Sequence, residues 1–197
     1  MKKIVLLAGL LFLFTACGKN LGEQGFDKYQ QGDYKGAIEL FTQYIADHPQ
    51  DADAFYNRGR AYEESGELDK AIEDFNTATT ISPDEHSFWM SLGICNFKLK
   101  RYANTVSNMD ALLQKNANDA QAYVLQGRAY SHLKEVKKAI DAFDAALRAD
   151  ERSGEAYLHR GILKSAAGAV SGGCSDLKKA ESLGVKEAPS FYKKWCR

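Results

Sequence analysis

Apolar residues recur every three or four positions along most of the chain. That is the spacing of one buried face of an α-helix. In the segment 52–85 the pattern predicts two helices, one over about 52–65 and one over about 68–81. The first carries Phe55, Gly59 and Tyr62, the second Ala71, Phe75 and Ala78. Ser65-Gly66 separates them and Ser82-Pro83 ends the second. Glycine tolerates the turn and proline cannot continue a helix. Gln31-Gly32, His48-Pro49 and Ala167-Gly168 are equivalent breaks. Alternation at period two is absent, so no sheet is expected.

The pair of helices repeats. Stepping by 34 from Gly59 meets glycine every time, at Gly25, Gly93, Gly127 and Gly161. At the glycine content of this chain, chance gives that run roughly once in 20,000. Phe55 aligns with Leu21, Trp89, Tyr123 and Tyr157, and Ala71 with Ala37, Thr105, Ala139 and Gly173. Phe75 aligns with Phe41, Met109, Phe143 and Leu177. Phe55…Gly59…Tyr62…Gly66…Ala71…Phe75…Ala78…Pro83 resembles the tetratricopeptide repeat (TPR) pattern. So does Tyr123…Gly127…Tyr130…Ala139…Phe143…Ala146. The first unit keeps Gly25, Gly32, Ala37, Phe41 and Pro49 but has Lys28 in an aromatic column. The third has Asn96 and Thr105 where Tyr and Ala are usual, and the fifth departs in its second half.

The resemblance implies an all-α fold, a right-handed α-solenoid of about five TPR units over residues 22–187. No unit buries its apolar face alone, so stacking supplies the core. The last unit needs a cover, and residues 188–197 are expected to provide a capping helix. Phe191, Tyr192 and Trp195 would face the stack, and Lys193 and Lys194 would face water.

Residues 1–16 stand apart from this pattern. Lys2 and Lys3 precede an apolar run from Ile4 to Phe14, which reads as a secretory signal too short to span a bilayer. Phe14-Thr15-Ala16-Cys17 resembles the bacterial lipobox. That resemblance implies lipidation of Cys17 and a short tether over 17–21. Gly18 stands where an Asp would imply inner-membrane retention, which points to the outer membrane, facing the periplasm or the cell surface. More than one acyl chain is needed for a stable hold.

Charge then narrows the partners. The chain has 26 basic and 26 acidic side chains, and losing Lys2 and Lys3 with the leader would leave a net of −2. Nucleic acid is not an expected partner, since phosphate binding needs a positive footprint. Aromatic residues are 11% of the chain, which argues against disorder.

Four cysteines remain to be placed. Cys17 is assigned to lipid. Cys174 starts the second (B) helix of the last unit and Cys196 ends the cap, and antiparallel packing brings those ends together. An oxidising compartment would join them as a disulfide. Cys95, between Ile94 and Phe97, reads as a buried apolar residue. No CxxC, HExxH, GxSxG or phosphate-binding glycine loop occurs. His48, His86, His132 and His159 have no ligand spacing, so neither a metal nor another cofactor is expected, and the chain is not read as an enzyme.

A helical shell can still bind. Stacking places the first helix of each unit on the concave side. Helical spacing puts Tyr56, Asn57 and Arg60 of the second unit there, and Met90, Ile94 and Phe97 of the third. Val124, Leu125 and Arg128 follow in the fourth, and Leu158 and Ile162 in the fifth. This run fits an apolar or amphipathic segment of a protein or peptide partner, with Arg60 and Arg128 available for carboxylates or carbonyl groups. Asn57 matches the asparagine of the clamp by which some TPR domains hold chaperone tails. Gly22, Phe26, Ser87 and Ser91 replace its other side chains, so that ligand is not expected. The function expected is a membrane-anchored adaptor or scaffold for an envelope protein. Self-association into a homo-oligomer and small-ligand reception are the rival readings.

Overall fold

The structure is a computed structural model that describes residues 19–196. The signal segment 1–16 and Cys17 lie outside the described residues. Among the described residues there are eleven helices and no strand. The first repeat is α1 (Leu21–Gln30) and α2 (Tyr34–Asp47), and the second α3 (Ala52–Glu64) and α4 (Leu68–Ile81). The third is α5 (His86–Lys98) and α6 (Tyr102–Lys115), the fourth α7 (Ala120–His132) and α8 (Val136–Ala149). The fifth is α9 (Gly154–Ala166) and α10 (Val170–Ser182), followed by α11 (Ala188–Trp195). Each helix packs on its sequence neighbours, and α1 also touches α3, α5 touches α7, and α7 touches α9. The odd-numbered helices therefore form the inner layer of an α-solenoid.

The 34-residue columns become the core. Phe41, Phe75, Met109, Phe143 and Leu177 are each no more than 2% exposed. Each lies under the conserved-phase glycine of its own repeat. A Cβ on Gly59 would sit 2.7 Å from the Phe75 ring, and one on Gly127 the same distance from Phe143. Only hydrogen at those positions lets the two helices close on the aromatic ring. Ala37, Ala71, Thr105 and Ala139 complete the contact and are fully buried.

The turns inside the repeats share one geometry. The second residue after the first (A) helix of each repeat takes a left-handed backbone, at Gly32, Gly66, Lys100, Lys134 and Gly168, again 34 apart. Glycine bears this conformation without strain, whereas lysine does not. On the opposite edge, Asn20, Asp51, Asp119 and Ser153 cap α1, α3, α7 and α9 by accepting from backbone N–H groups of the first turn. Because Asn20 caps and Leu21 is already helical, α1 begins inside the expected tether 17–21.

The cap closes the far end. Phe191, Tyr192 and Trp195 of α11 pack over Leu158, Leu177 and Ala180, and Lys193 and Lys194 are exposed. Cys174 and Cys196 form a disulfide with their Cα atoms 5.7 Å apart. Cys95 is a free, buried thiol, whose pKa burial pushes up to about 12. That value leaves it protonated and inert.

Candidate functional site

The inner helices carry one run of polar clamps that the fold uses for itself. Arg58 pairs with Asp74 on its own B helix, and Arg160 with Asp176. Burial is the main influence on Asp74 and raises its pKa, with Arg58 opposing. These groups hold helices together.

The expected groove residues divide into two sets. Tyr56 is half-buried, its ring packed between Phe75 and Phe88 at 5.6 and 4.7 Å between centroids. Arg60 is also engaged. It donates to the Tyr29 hydroxyl at 3.0 Å and lies 4.6 Å over that ring, so it secures α3 to the first repeat. Phe97 is held edge-on by Tyr102 and His132, with Arg128 4.8 Å above its ring. Val124, Leu125 and Leu158 are 6%, 7% and 7% exposed and belong to three core clusters. They floor the groove and offer little surface of their own. The physical reason is the close approach of α5, α7 and α9, whose facing flanks are the same flanks that helical spacing places on the concave side.

What remains open is organised as cavities. One of about 370 Å³ is bounded by Met90, Ile94, Gln121, Val124, Leu125 and Arg128, with Asp150, Ser153 and Glu155 from the next repeat. A second, of about 510 Å³, is bounded by Arg128, Glu155, Leu158, His159, Ile162 and Phe191, with the 184–187 loop. Arg128 and Glu155 line both, so they stand at the wall between adjacent cavities. The two openings form one groove across the third to fifth repeats and the cap. Its floor is aliphatic, and its rim holds both signs of charge.

His159 lies at the base of the second cavity, parallel to the Phe143 ring at 5.7 Å. Burial pushes its pKa down to about 4, with Arg128 adding to the effect. The ring is therefore neutral near pH 7. His132 stacks on Tyr102 at 4.3 Å. Among the described residues, no group of three or more His, Cys, Asp or Glu is placed to hold a metal ion.

A third cavity, of about 400 Å³, lies at the first repeat and includes Asn57, with Gly22, Phe26, Phe41, Tyr44 and Asp51. Sequence spacing placed Asn57 in the same groove as Met90 and Ile94. The structure separates them: Asn57 lines the cavity between the first two repeats, and Met90 and Ile94 line the one shared by the third to fifth. Ser153 and Glu155 come from the N-cap and first turn of α9, Glu155 standing 34 residues after Gln121, whereas 184–187 and Phe191 come from a loop and the cap, outside the repeat.

A sequence profile described as tetratricopeptide repeat matches residues 23–86 and 106–153. The chain belongs to the tetratricopeptide repeat family. A solved structure of MamA from Desulfovibrio magneticus RS-1 superimposes with a TM-score of 0.77, at 20% identity, covering 85% of this chain and 97% of that one. YrrB, a TPR protein described as having an unusual peptide-binding site, superimposes with a TM-score of 0.75 at 16% identity, covering 88% and 90%. At those identities the likeness is one of fold. The co-chaperone sgt12 of Aspergillus fumigatus is 27% identical over 107 residues, 54% of this chain and 31% of that protein. The first curated relatives are longer proteins, of which the TPR chain spans between 11% and 31%.

Proposed function

We propose that this TPR chain is a non-catalytic adaptor that holds a segment of a partner protein in the groove spanning Met90 to Phe191. The reading rests on one observation: two cavities of about 370 and 510 Å³ share the Arg128–Glu155 wall. Adjacent apolar recesses with a charged divider suit a segment that places successive apolar side chains and offers a polar group between them. The guanidinium of Arg128 supplies planar donors for a carboxylate or carbonyl oxygen. Membership of the TPR family and the fold shared with a peptide-binding TPR protein support a protein or peptide ligand.

The leader over 1–16 and the lipobox-like Phe14-Thr15-Ala16-Cys17 support a place at the bacterial envelope, with acyl chains on Cys17 as the anchor. The adaptor then presents its groove from a membrane surface. In this reading the protein works without cofactor or metal.

Crosslinking and capture from native membranes test the proposal. The bait is the full chain, and the comparison is the same chain carrying Arg128→Glu and Ile162→Glu, at two half-buried positions. A partner captured by the first and lost by the second, with unchanged helicity, supports the groove. A partner retained by both moves the interface elsewhere, and capture of the chain alone by both favours self-association. Release of Cys17→Ser from the membrane fraction tests the anchor separately.

A further inference from the structure

We propose that the cavity between the first two repeats is a second binding site, for a basic segment of a partner polypeptide in which arginine or lysine flanks an apolar residue. It stands apart from the groove of the third to fifth repeats and does not depend on that groove having a partner.

The recess, of about 400 Å³, is built on the same frame as the groove cavity of about 370 Å³. Lys19, Glu23 and Phe26 stand three repeats before Gln121, Leu125 and Arg128. Asp51 and Asp53 stand three repeats before Ser153 and Glu155. The frame is kept and the chemistry is exchanged. Phe26 replaces the cation Arg128, Glu23 replaces the aliphatic Leu125, and Asp51 replaces the neutral Ser153.

Four carboxylates line the recess, those of Glu23, Asp27, Asp51 and Asp53, against one cation, Lys19. Lys19 pairs with Asp27 at 2.5 Å. Asp51 is engaged by the fold, accepting from the Ala54 N–H and the Tyr44 hydroxyl. Glu23 and Asp53 are exposed, and among the described residues neither has a basic group within ion-pair distance. Each lies in the first turn of an inner helix, where the backbone dipole favours an acid. Glu155 has the same place in α9, but its cavities also hold Arg128, whereas this recess holds Phe26. The local field is negative: the hydrogen bond to Asp51, burial, and the charges of Asp51 and Glu23 all raise the pKa of Tyr44.

Phe26 is 40% exposed. A guanidinium or ammonium group is drawn both to such a ring and to the carboxylates beside it, and its methylene stem packs on the aromatic surface. Among the described residues no three acidic or metal-binding side chains are placed to hold a metal ion. The charge is spread over α1 and the start of α3, which suits cations spaced along a chain. The apolar residue between them covers Phe26, a contact that a free organic cation lacks. Lys19 and Asn20 follow Cys17 by two and three residues, so a chain anchored through that cysteine presents the recess beside the membrane.

Fluorescence anisotropy tests the site, using the full chain extracted from bacterial membranes in non-ionic detergent, with detergent alone as the blank. The probe is a labelled, acetylated and amidated peptide with two arginines flanking a leucine, set in glycine and serine. The protein should bind it, more weakly as salt rises. Glu23→Gln with Asp53→Asn should raise Kd at least roughly tenfold with helicity retained. Phe26→Arg, which installs the cation of the equivalent groove position, should do the same. Serine in place of the leucine should cost roughly fivefold. Glu39→Gln with Glu73→Gln removes two exposed carboxylates of the B helices and should leave Kd unchanged. Equal weakening by this control would reduce the effect to general charge attraction and overturn the proposal. Unchanged binding by the Glu23 and Asp53 variant would overturn it by placing the peptide elsewhere, and absence of binding to the unaltered chain would do so outright. Displacement by spermidine as effective as by unlabelled peptide would assign the recess to small cations instead. Loss of probe binding as protein concentration rises would assign it to a second copy.

Discussion

Arg160 donates from Nε and Nη2 to the two carboxylate oxygens of Asp176, at 2.8 and 2.6 Å, across the fifth repeat. Its Nη1 reaches back to Asp144 of the fourth at 2.5 Å. Three repeats earlier Arg58 makes the same bidentate pair with Asp74 and reaches back to Thr42. In the fourth repeat Gln126 reaches Asp110 at 2.6 Å. In the second and fifth repeats this position ties the A helix to its own B helix and to the preceding one, and in the fourth to the preceding one. Asp176 is 8% exposed at its side chain, so Asp176→Ala leaves the half-buried guanidinium with Asp144 alone and also removes the partner of Lys164. The expected cost is about 2 kcal/mol. Glu67→Ala, which breaks the exposed pair with Lys70, should leave stability unchanged within error. Urea unfolding of the two variants measures the difference, and equal losses would mean that the clamp contributes nothing beyond its helix surface.

Gly127 and Gly172 are both helical glycines with opposite expectations. A methyl on Gly127 would meet Phe143 carbons at 2.7 and 2.9 Å. Gly127→Ala should destabilise by about 1–3 kcal/mol through overpacking. At Gly172 the only atom near a new Cβ is the flexible end of Lys164, at 3.9 Å. Gly172→Ala should stabilise α10 by about 0.5–1 kcal/mol, the ordinary helix preference of alanine. Thermal melts of the two variants should move in opposite directions. A stabilising Gly127→Ala would show that the two helices can separate at no cost.

These two glycines show what a one-dimensional pattern can carry. The fold was legible because Gly127, Phe143 and their equivalents recur at 34 residues. A period of that kind survives even where Asn96 and Thr105 depart from the usual residues. The groove was legible only in part. Val124 and Leu158 lie on the right face of their helices, but that face is shared between the groove and the neighbouring A helix. Spacing along one helix cannot separate the two. Ser153 and Phe191 escaped because an N-cap and the cap helix bring them to the cavities outside the spacing of the inner helices. Arg60 was read as free because its partner, Tyr29, lies 31 residues away in a different repeat.

Lys134 offers a local test of the turn. Its φ of 65° falls in the region that glycine occupies in Gly66, at 81°. Lys134→Gly should therefore stabilise the fourth repeat by about 1 kcal/mol. Gly66→Lys should cost a similar amount in the second. Chemical denaturation of both variants checks the pair. If Lys134→Gly is destabilising, the lysine side chain makes a contact worth more than the strain.

His159 ties stability to pH. Its ordinary pKa near 6.5 is pushed down to about 4 by burial and by Arg128. Between these values the unfolded chain binds a proton that the folded chain refuses. The neutral ring's contribution is complete above pH 6.5 and is lost as pH falls toward 4, amounting to about 3 kcal/mol over the full window. His159→Gln should flatten this part of the stability profile while leaving the carboxylate-driven loss below it. Unfolding free energies measured at intervals from pH 7 to pH 4 would show the two profiles converging as pH falls. Parallel profiles would mean that His159 is accessible to water and titrates normally.

The disulfide between Cys174 and Cys196 closes a loop of 22 residues around the α10–α11 turn. Chain entropy for such a loop gives about 3 kcal/mol of stabilisation. Its loss falls first on α11, which has only eight residues and is held otherwise by Phe191, Tyr192 and Trp195. An isolated helix of that length has little stability of its own. Reduction should therefore free the cap before the rest of the solenoid unfolds, with a rise in Trp195 exposure and little change in helicity. Because Phe191 lines the second cavity, a groove partner should also bind more weakly to the reduced protein. Tryptophan fluorescence and far-UV circular dichroism, recorded with and without reductant, separate local from global loss. Cys174→Ser with Cys196→Ser should behave like the reduced protein and ignore reductant. Simultaneous loss of fluorescence and helicity signals would instead make the cap and the five repeats a single cooperative unit.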